Sequence, residues 1–591
     1  MALQIFGVAT EVVSLGALLP FLAVLTDAKE YFHHPKVQVL VQFAGISDEL
    51  ELIVVFSIGF AAAFTLASGM RLFTMWVQAR LAAAIGSDLS AELYRRTLYQ
   101  RYEHFTQAHS GRLISTVTND FNSAASVVLS SLMIVTQGLA IVAIVSAIFA
   151  YDPTVAITMT GVTGLAYLLV MRLNKRQLVQ TGRIRSETYA GIVRVLQESF
   201  GGIRDVLLGR KQQTFIKRYA ALDRSFRRSS AHAQVIRTAP RYVLEAIGVV
   251  VLTAVAASLA YLRTDIFSVL PVVGAIAMAA NRLLPAMQQV YASYGALQGV
   301  HVSLRRTLAS LALPLDPVTT APVGGSLAPR RTVKLEDIWF RYAAVSAETP
   351  NQDWVLRGVT LEIPINKTIA LVGVTGGGKS TIADVLLGLL RPAHGRILLD
   401  GVPLDDVQLS AWRQAVASVP QNIFLSDATV NENIAFGVPV EEIDRERVRQ
   451  AAKTARVAEF IEDRSECYDE VIGEHGIRLS GGQRQRIGIA RALYRSASVI
   501  VFDEATSALD NATEQAVMRA LNDLKGQATI VLIAHRLSTV RNAGIIFEVE
   551  LGQVVAQGNY EELLAKSASF RRMVSAAEHG FEHGSNDAVI I

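Results

Sequence analysis

The run Gly373-Val374-Thr375-Gly376-Gly377-Gly378-Lys379-Ser380-Thr381 carries the residue types needed to hold a nucleoside polyphosphate. Glycines let backbone N–H groups wrap phosphate oxygens, Lys379 can reach the β- and γ-phosphates, and Ser380 can coordinate Mg²⁺. The run follows a strand-like Thr368–Val372 and precedes a helical stretch at 382–390, whose positive end adds to the attraction. ATP with Mg²⁺ is the ligand this order of elements predicts. A second group of chemical interest is Val499-Ile-Val-Phe-Asp503-Glu504. Four apolar residues make a buried strand that ends at Asp503, placed to hold Mg²⁺ directly or through water. Glu504, next along, can polarise an attacking water, a role that contributes about 10²–10⁴-fold in general.

Leu479-Ser480-Gly481-Gly482-Gln483 joins these two groups into one pattern. Together with the phosphate loop, the two acids and His535, it resembles the ABC transporter ATPase. The resemblance implies further roles. Tyr342, within Trp339-Phe340-Arg341-Tyr342, sits where that family stacks adenine on an aromatic ring. Gln421 matches the glutamine that touches Mg²⁺ and the nucleophilic water, and His535 matches the switch histidine near the γ-phosphate. Ser507-Ala508-Leu509-Asp510 matches the D-loop. In this family Ser480, Gly481, Gly482, Gln483 and Asp510 act in trans, closing on ATP held by the opposite subunit. A dimer is therefore implied, a homodimer needing no complementing partner and a heterodimer remaining compatible.

The rest of the chain must position these residues. Of 591 residues, 51% are hydrophobic and 18% charged, and the mean hydropathy is +0.33. Soluble domains carry about 25% charged residues, so much of this chain should face something other than water. The net charge of +4 conceals an asymmetry, with 30 Lys/Arg against 18 Asp/Glu in residues 1–332 and the balance reversed beyond. A pI near 9.0 could suggest nucleic acid, but the excess base lies between apolar segments, not in one stripe, so no nucleic-acid partner is expected. A single cysteine, Cys467, excludes an internal disulfide.

Six apolar windows have the length of a membrane-spanning helix, about 17–25 residues: 3–25, 52–76, 127–150, 155–171, 242–262 and 266–287. Residues 1–310 then form an all-α polytopic membrane domain. A Pro-, Gly- and Thr-rich stretch at 311–332 reads as a linker. Short β-branched runs alternating with helical patterns make 333–577 an α/β P-loop ATPase domain with a largely parallel sheet, and 578–591 is a polar tail. Two long loops, 77–126 and 172–241, carry 5 and 16 Lys/Arg. The positive-inside rule places both in the cytoplasm with both termini, and their helical periodicity extends the spans as stalks.

Six spans before the ATPase match the exporter-type half-transporter. That resemblance places coupling helices at 105–112 and 203–209 and an X-loop at Gly473-Glu474-His475-Gly476. Intramembrane charge is costly, so Arg71 and Arg282 are candidates for substrate binding, with Arg241 at the entry of the fifth span. Three arginines on one cavity would suit a phosphate or pyrophosphate, although pairing with Glu11 or Glu245 would also account for them. Residues 11–25, the loop after them and Asn281-Arg282-Leu283-Leu284-Pro285 resemble the lipid-linked oligosaccharide flippases of the PglK type. That narrower resemblance implies an external helix near 36–45 and arginines that engage a lipid pyrophosphate. No amphipathic elbow helix precedes the first window, a departure from the pattern. The expectation is an ATP-driven translocase in a bacterial inner membrane, moving a lipid-linked oligosaccharide. A lipid A-like lipid, phospholipid, drug or peptide is the alternative, and an ATP-gated channel a more distant one.

Overall fold

The computed structural model describes residues 2–26, 28–107, 121–151, 153–262, 270–322, 325–342, 354–503, 519, 526–534 and 540–582. Glu504, Ser507, Ala508, Leu509, Asp510 and His535 lie outside them. The chain divides into two compact units, Met1–Leu98 with Ala108–Leu313, and Tyr99–Gln107 with Pro314–Ile591.

The first unit is helical. Its long elements are Glu49–Leu98, Phe121–Tyr151, Pro153–Gly201, Gln212–Leu262 and Leu270–Ala312. The 50 residues of Glu49–Leu98, at about 1.5 Å per residue, run more than twice the roughly 30 Å of a bilayer's hydrocarbon. Expected stalks and spans are thus single continuous helices. Glu49–Leu98 and Ala125–Ala150 hold windows of mean hydropathy 2.2 and 2.4 that are each only 11% buried. A soluble protein would cover such surfaces; the length and apolarity of these two helices suit a bilayer.

One expected span is interrupted. Window 3–25 forms two helices, Ala2–Gly16 and Leu18–Thr26, with a turn at Ala17. Pro20 has no N–H to give the Gly16 carbonyl, which breaks the ladder at that point. Pro35–Ala44 is helical, where the narrower resemblance placed an external helix. Ile203–Leu208, capped by Gly209, occupies the second expected coupling position.

Small residues and one tyrosine tie the long helices. A Cβ at Gly182 would lie 2.2 Å from the Gly299 carbonyl oxygen, so the two backbones approach at glycine. Pro240 lies inside the continuous helix Gln212–Leu262 and withdraws the donor that the Ile236 carbonyl would have had. Buried Tyr291 supplies a replacement, its hydroxyl donating to Ile236 O at 2.9 Å while accepting from Asn174 Nδ2 at 3.0 Å. Three helices meet at this hydroxyl. Tyr291→Phe is expected to cost about 1–3 kcal/mol, read as a lower unfolding midpoint in detergent; an unchanged midpoint would show that the bond is dispensable.

The second unit contains two sheets. β1 (Thr332–Phe340), β2 (Leu356–Pro364), β4 (His394–Leu399) and β5 (Val402–Pro403) form an antiparallel sheet in the order β2-β1-β4-β5. Adding β3 (Thr368–Val372), β6 (Val416–Val419), β7 (Val499–Asp503), β8 (Thr529–Ile533), β9 (Ile545–Glu550) and β10 (Gln553–Gly558) gives a second sheet, β10-β9-β3-β8-β7-β6. All its pairings are parallel except β9 with β10. The run beginning at Thr332 therefore does not join the largely parallel sheet. Burial explains the difference: β1 alternates along most of its length, whereas β7 and β8 are buried nearly throughout.

Candidate functional site

The carboxyl ends of four neighbouring parallel strands gather the site. Leu371 of β3 pairs with Ile533 of β8, Ile533 with Asp503 of β7, and Phe502 with Val419 of β6, so the strand ends lie level. The phosphate loop follows β3, Asp503 ends β7, and Gln421 stands exposed two residues beyond β6. Ligands bind at such strand ends in open α/β sheets. His535 and Glu504 follow β8 and β7 in the sequence but lie outside the described residues.

Backbone geometry explains the glycines. Gly373 has φ +141°, and a Cβ there would lie 2.0 Å from the Val549 carbonyl oxygen. Gly378, at φ 103°, is the N-cap of Lys379–Leu386. Lys379 is only 5% exposed, and its ammonium donates to the carbonyls of Gly373 at 2.7 Å and Val374 at 2.9 Å. A buried cation is tolerable because hydrogen bonds satisfy it. Thr375 and Gly376 are exposed on the loop, while Gly377, Ser380 and Thr381 bring its backbone into the helix.

A turn that sequence reasoning passed over supports this loop. Leu551 and Gly552 join β9 to β10, with φ 47° and 78°. Gly552 N–H donates to Gly377 O at 3.0 Å, and Gly552 O accepts from Arg357 N–H at 2.8 Å. The signal was present: two residues between apolar runs, the second glycine, are a tight hairpin turn. That such a turn props the phosphate loop is a matter of sheet order.

Oxygen-bearing side chains stand at these strand ends and at the start of the helix: Gln421 beyond β6, Asp503 at the end of β7 and Ser380 in the first turn of Lys379–Leu386. Burial first, and then the charge of Asp503, push the Asp384 carboxyl up to about 6. Hydroxyl, amide and carboxylate oxygens suit a hard cation. Among the described residues no group of three His, Cys, Asp or Glu could hold a metal; Ser380, Gln421 and Asp503 are of the residue types that suit Mg²⁺.

Ser480 begins the helix Gly481–Tyr494 with a capping box: its Oγ accepts from Gln483 N–H at 3.2 Å, and Gln483 Oε1 accepts from Ser480 N–H at 2.8 Å. Leu479 and Gly482 are buried while Ser480 and Gly481 are exposed, so the positive helix end faces outward, as an anion site requires. The X-loop segment forms a turn with His475 at φ 53° and Gly476 at φ 63°. Tyr342 is half-buried, its ring edge-on to Phe340 at 5.0 Å.

The tip of the first long loop belongs to this unit, not to the spans. Tyr99 O accepts from Asp316 N–H at 2.9 Å, and burial, followed by the charges of Asp384 and Tyr342, raises the Tyr102 phenol. Of the first expected coupling position, 105–112, residues 105–107 end the helix Tyr102–Gln107, and 108–112 fall outside the described residues.

In the first unit, a cavity of about 440 Å³ lies among the spanning helices, lined by Glu11, Arg71, Gln78, Thr136, Asn281 and Arg282 among others. Arg71 donates to Glu11 at 2.8 Å, and Arg282 approaches the same carboxylate oxygen at 3.9 Å. Arg282 also lies over the Phe64 ring at 4.8 Å. Arg241 does not line this cavity: it pairs at 3.9 Å with Glu245, one helical turn along. Two of the three expected arginines are brought together, by a carboxylate whose partners lie on distant helices.

Comparisons with known proteins agree with the two halves. The family model described as ABC transporter matches residues 356–507, and that described as ABC transporter transmembrane region matches residues 2–278. The chain belongs to the ABC transporters, as an integral membrane protein whose transmembrane region is fused to an ATP-binding ATPase that drives transport. It is 33% identical to the ATP-dependent lipid A-core flippase of Chromobacterium violaceum over 85% of this chain and 83% of that one. The flippase of the same name from Chromohalobacter salexigens is 42% identical over 42% of each chain. In fold, the chain resembles a bacterial Atm1-family ABC exporter with ATP bound, at a TM-score of 0.78, 22% identity, and coverage of 98% and 99%.

Proposed function

We propose that this transporter is a homodimeric flippase that carries a phosphate-bearing lipid of the lipid A type from the cytoplasmic side across a bacterial inner membrane. The cavity that sets Arg71 and Arg282 among polar side chains and apolar helices is the observation that carries the reading. Guanidinium pairs recognise phosphate oxygens, and the surrounding apolar surface suits acyl chains. Relatives named lipid A-core flippases, matched over 83% of their length, favour this lipid over the lipid-linked oligosaccharide expected from the PglK-type resemblance. Both substrates would present a phosphate to the same arginines.

In the motor, Lys379, Ser380, Thr381 and the loop glycines hold the ATP phosphates, and Tyr342 stacks on adenine. Mg²⁺, held by Ser380, Gln421 and Asp503, would neutralise phosphate charge. Glu504 takes the proton of the attacking water and His535 donates to the γ-phosphate. Ser480, Gly481, Gly482, Gln483 and Asp510 reach the nucleotide of the second copy, so hydrolysis and separation of the two copies are one event. The domain limits at 310, 332 and 577 and the cytoplasmic placement of both termini belong to the same proposal.

Proteoliposomes loaded separately with lipid A-core, a pyrophosphate-linked oligosaccharide lipid and a zwitterionic phospholipid test the substrate. ATP-dependent movement of lipid A-core above the other two is expected. Movement of the oligosaccharide lipid alone would reverse the choice. Arg71→Ala and Arg282→Ala should raise the concentration of lipid giving half-maximal stimulation of the ATPase about tenfold or more. Arg241→Ala, off the cavity, should have the smaller effect; the opposite ranking would remove the cavity from the pathway.

A further inference from the structure

Glu11, Arg71 and Arg282 are the charged residues among those lining the cavity of the first unit. Their charges do not cancel, since two guanidinium groups share one carboxylate oxygen. Their hydrogen bonds do not close either. Arg71 Nε is buried without an acceptor. Arg282, whose side chain is only 13% exposed, is 3.9 Å from Glu11 and otherwise rests on the Phe64 ring, with no hydrogen bond among the described residues. Buried arginine donors without acceptors are costly. The cluster therefore offers one net positive charge and a set of unused N–H groups to whatever enters from the cavity.

We infer that Glu11 is an internal counter-ion that sets how much negative charge the cavity accepts at each arginine pair. The inference rests on the proposed reading of Arg71 and Arg282 as phosphate-binding residues. With Glu11 in place, one added negative charge brings the cluster to neutrality, and a dianionic phosphomonoester overshoots by one. Arg282 has the looser hold on Glu11 and faces the ligand, while Arg71 keeps the carboxylate at 2.8 Å. The Glu11 carboxylate, itself only 15% exposed, then repels the second charge of a dianion, because Coulomb terms between partly buried charges are screened less than in bulk water. Removing the carboxylate charge leaves two positive charges, which a dianion matches. Glu11 is thus a specificity-determining residue, acting on headgroup charge and not on acyl chains.

Two probes separate the cases. Dodecyl phosphate at about pH 8, above a phosphomonoester's second pKa of about 6, is a dianion; its methyl diester, dodecyl methyl phosphate, is a monoanion of nearly the same size. Each is titrated against the ATPase of the full chain in nanodiscs of zwitterionic lipid, for the unaltered protein, Glu11→Gln, Glu11→Asp and Arg282→Ala. Glu11→Gln should lower the half-stimulating concentration of the dianion relative to the monoanion by about tenfold. Glu11→Asp, which keeps the charge but draws it away from Arg282, should move the ratio the same way by less, and decides the matter if Glu11→Gln does not fold. A ratio unchanged in both Glu11 variants, while Arg282→Ala weakens both probes, would overturn the role of Glu11 and leave the arginine site standing. Equal responses of the unaltered protein and Arg282→Ala to both probes would overturn the arginine site itself, and this inference with it.

Discussion

Glu504→Gln is expected to lower steady-state ATP hydrolysis by about 10²–10⁴-fold while leaving ATP bound. The two effects separate because different residues carry them. Binding rests on the phosphate loop, whose Lys379 ammonium is already fixed by the Gly373 and Val374 carbonyls. Hydrolysis, as proposed, needs the Glu504 carboxylate as base, and Gln can hydrogen-bond the water but cannot take its proton. Steady-state phosphate release and equilibrium ATP binding should therefore diverge in Glu504→Gln. They should fall together in Lys379→Ala, where the phosphate anchor is lost. Hydrolysis by Glu504→Gln within tenfold of the unaltered protein would remove Glu504 as the base.

Gly552→Ala should weaken ATP binding by about tenfold or more, although no part of the ATP-binding motifs contains it. Its φ of +78° is one that alanine rarely adopts, and the added Cβ would lie 2.1 Å from the Val355 carbonyl oxygen. Strain alone is worth about 1–3 kcal/mol. Relief requires the Leu551-Gly552 turn to withdraw, which breaks the bond from Gly552 N–H to the Gly377 carbonyl and loosens the loop at its midpoint. Gly401→Ala is the control, with φ +86° but nothing within 4 Å of a Cβ. ATP affinity should drop for Gly552→Ala and not for Gly401→Ala, with the unfolding midpoint measured beside it. Equal affinities in both variants would sever the hairpin from the nucleotide site.

Much of the motor was legible because its signals are local. A phosphate loop is a contiguous run between a strand and a helix, and its glycine spacing directly encodes the backbone shape that Gly373 and Gly378 adopt. The long helices were legible for a similar reason, since apolar length and helical period are properties of single segments. Sheet membership was less so. The run at β1 looked like the strands of the parallel sheet, yet its alternating burial belongs to an antiparallel neighbour. The break at Ala17 was visible in Pro20 but masked by the unbroken apolarity around it.

Pairings between segments are where the sequence left alternatives open. Arg71 stands 60 residues from Glu11 along the chain; the sequence offered their pairing as an alternative to substrate binding, and the structure shows the pair on the wall of one cavity. Arg241 stands at the entry of the fifth window, and the carboxylate it meets, Glu245, is one turn along its own helix. By itself the sequence determined an ATP-driven membrane transporter, because nucleotide chemistry and membrane crossing depend on residue type and spacing within short runs. Only the tertiary structure decided which charges meet, because that depends on the rotation and crossing of helices whose contacts no single segment encodes.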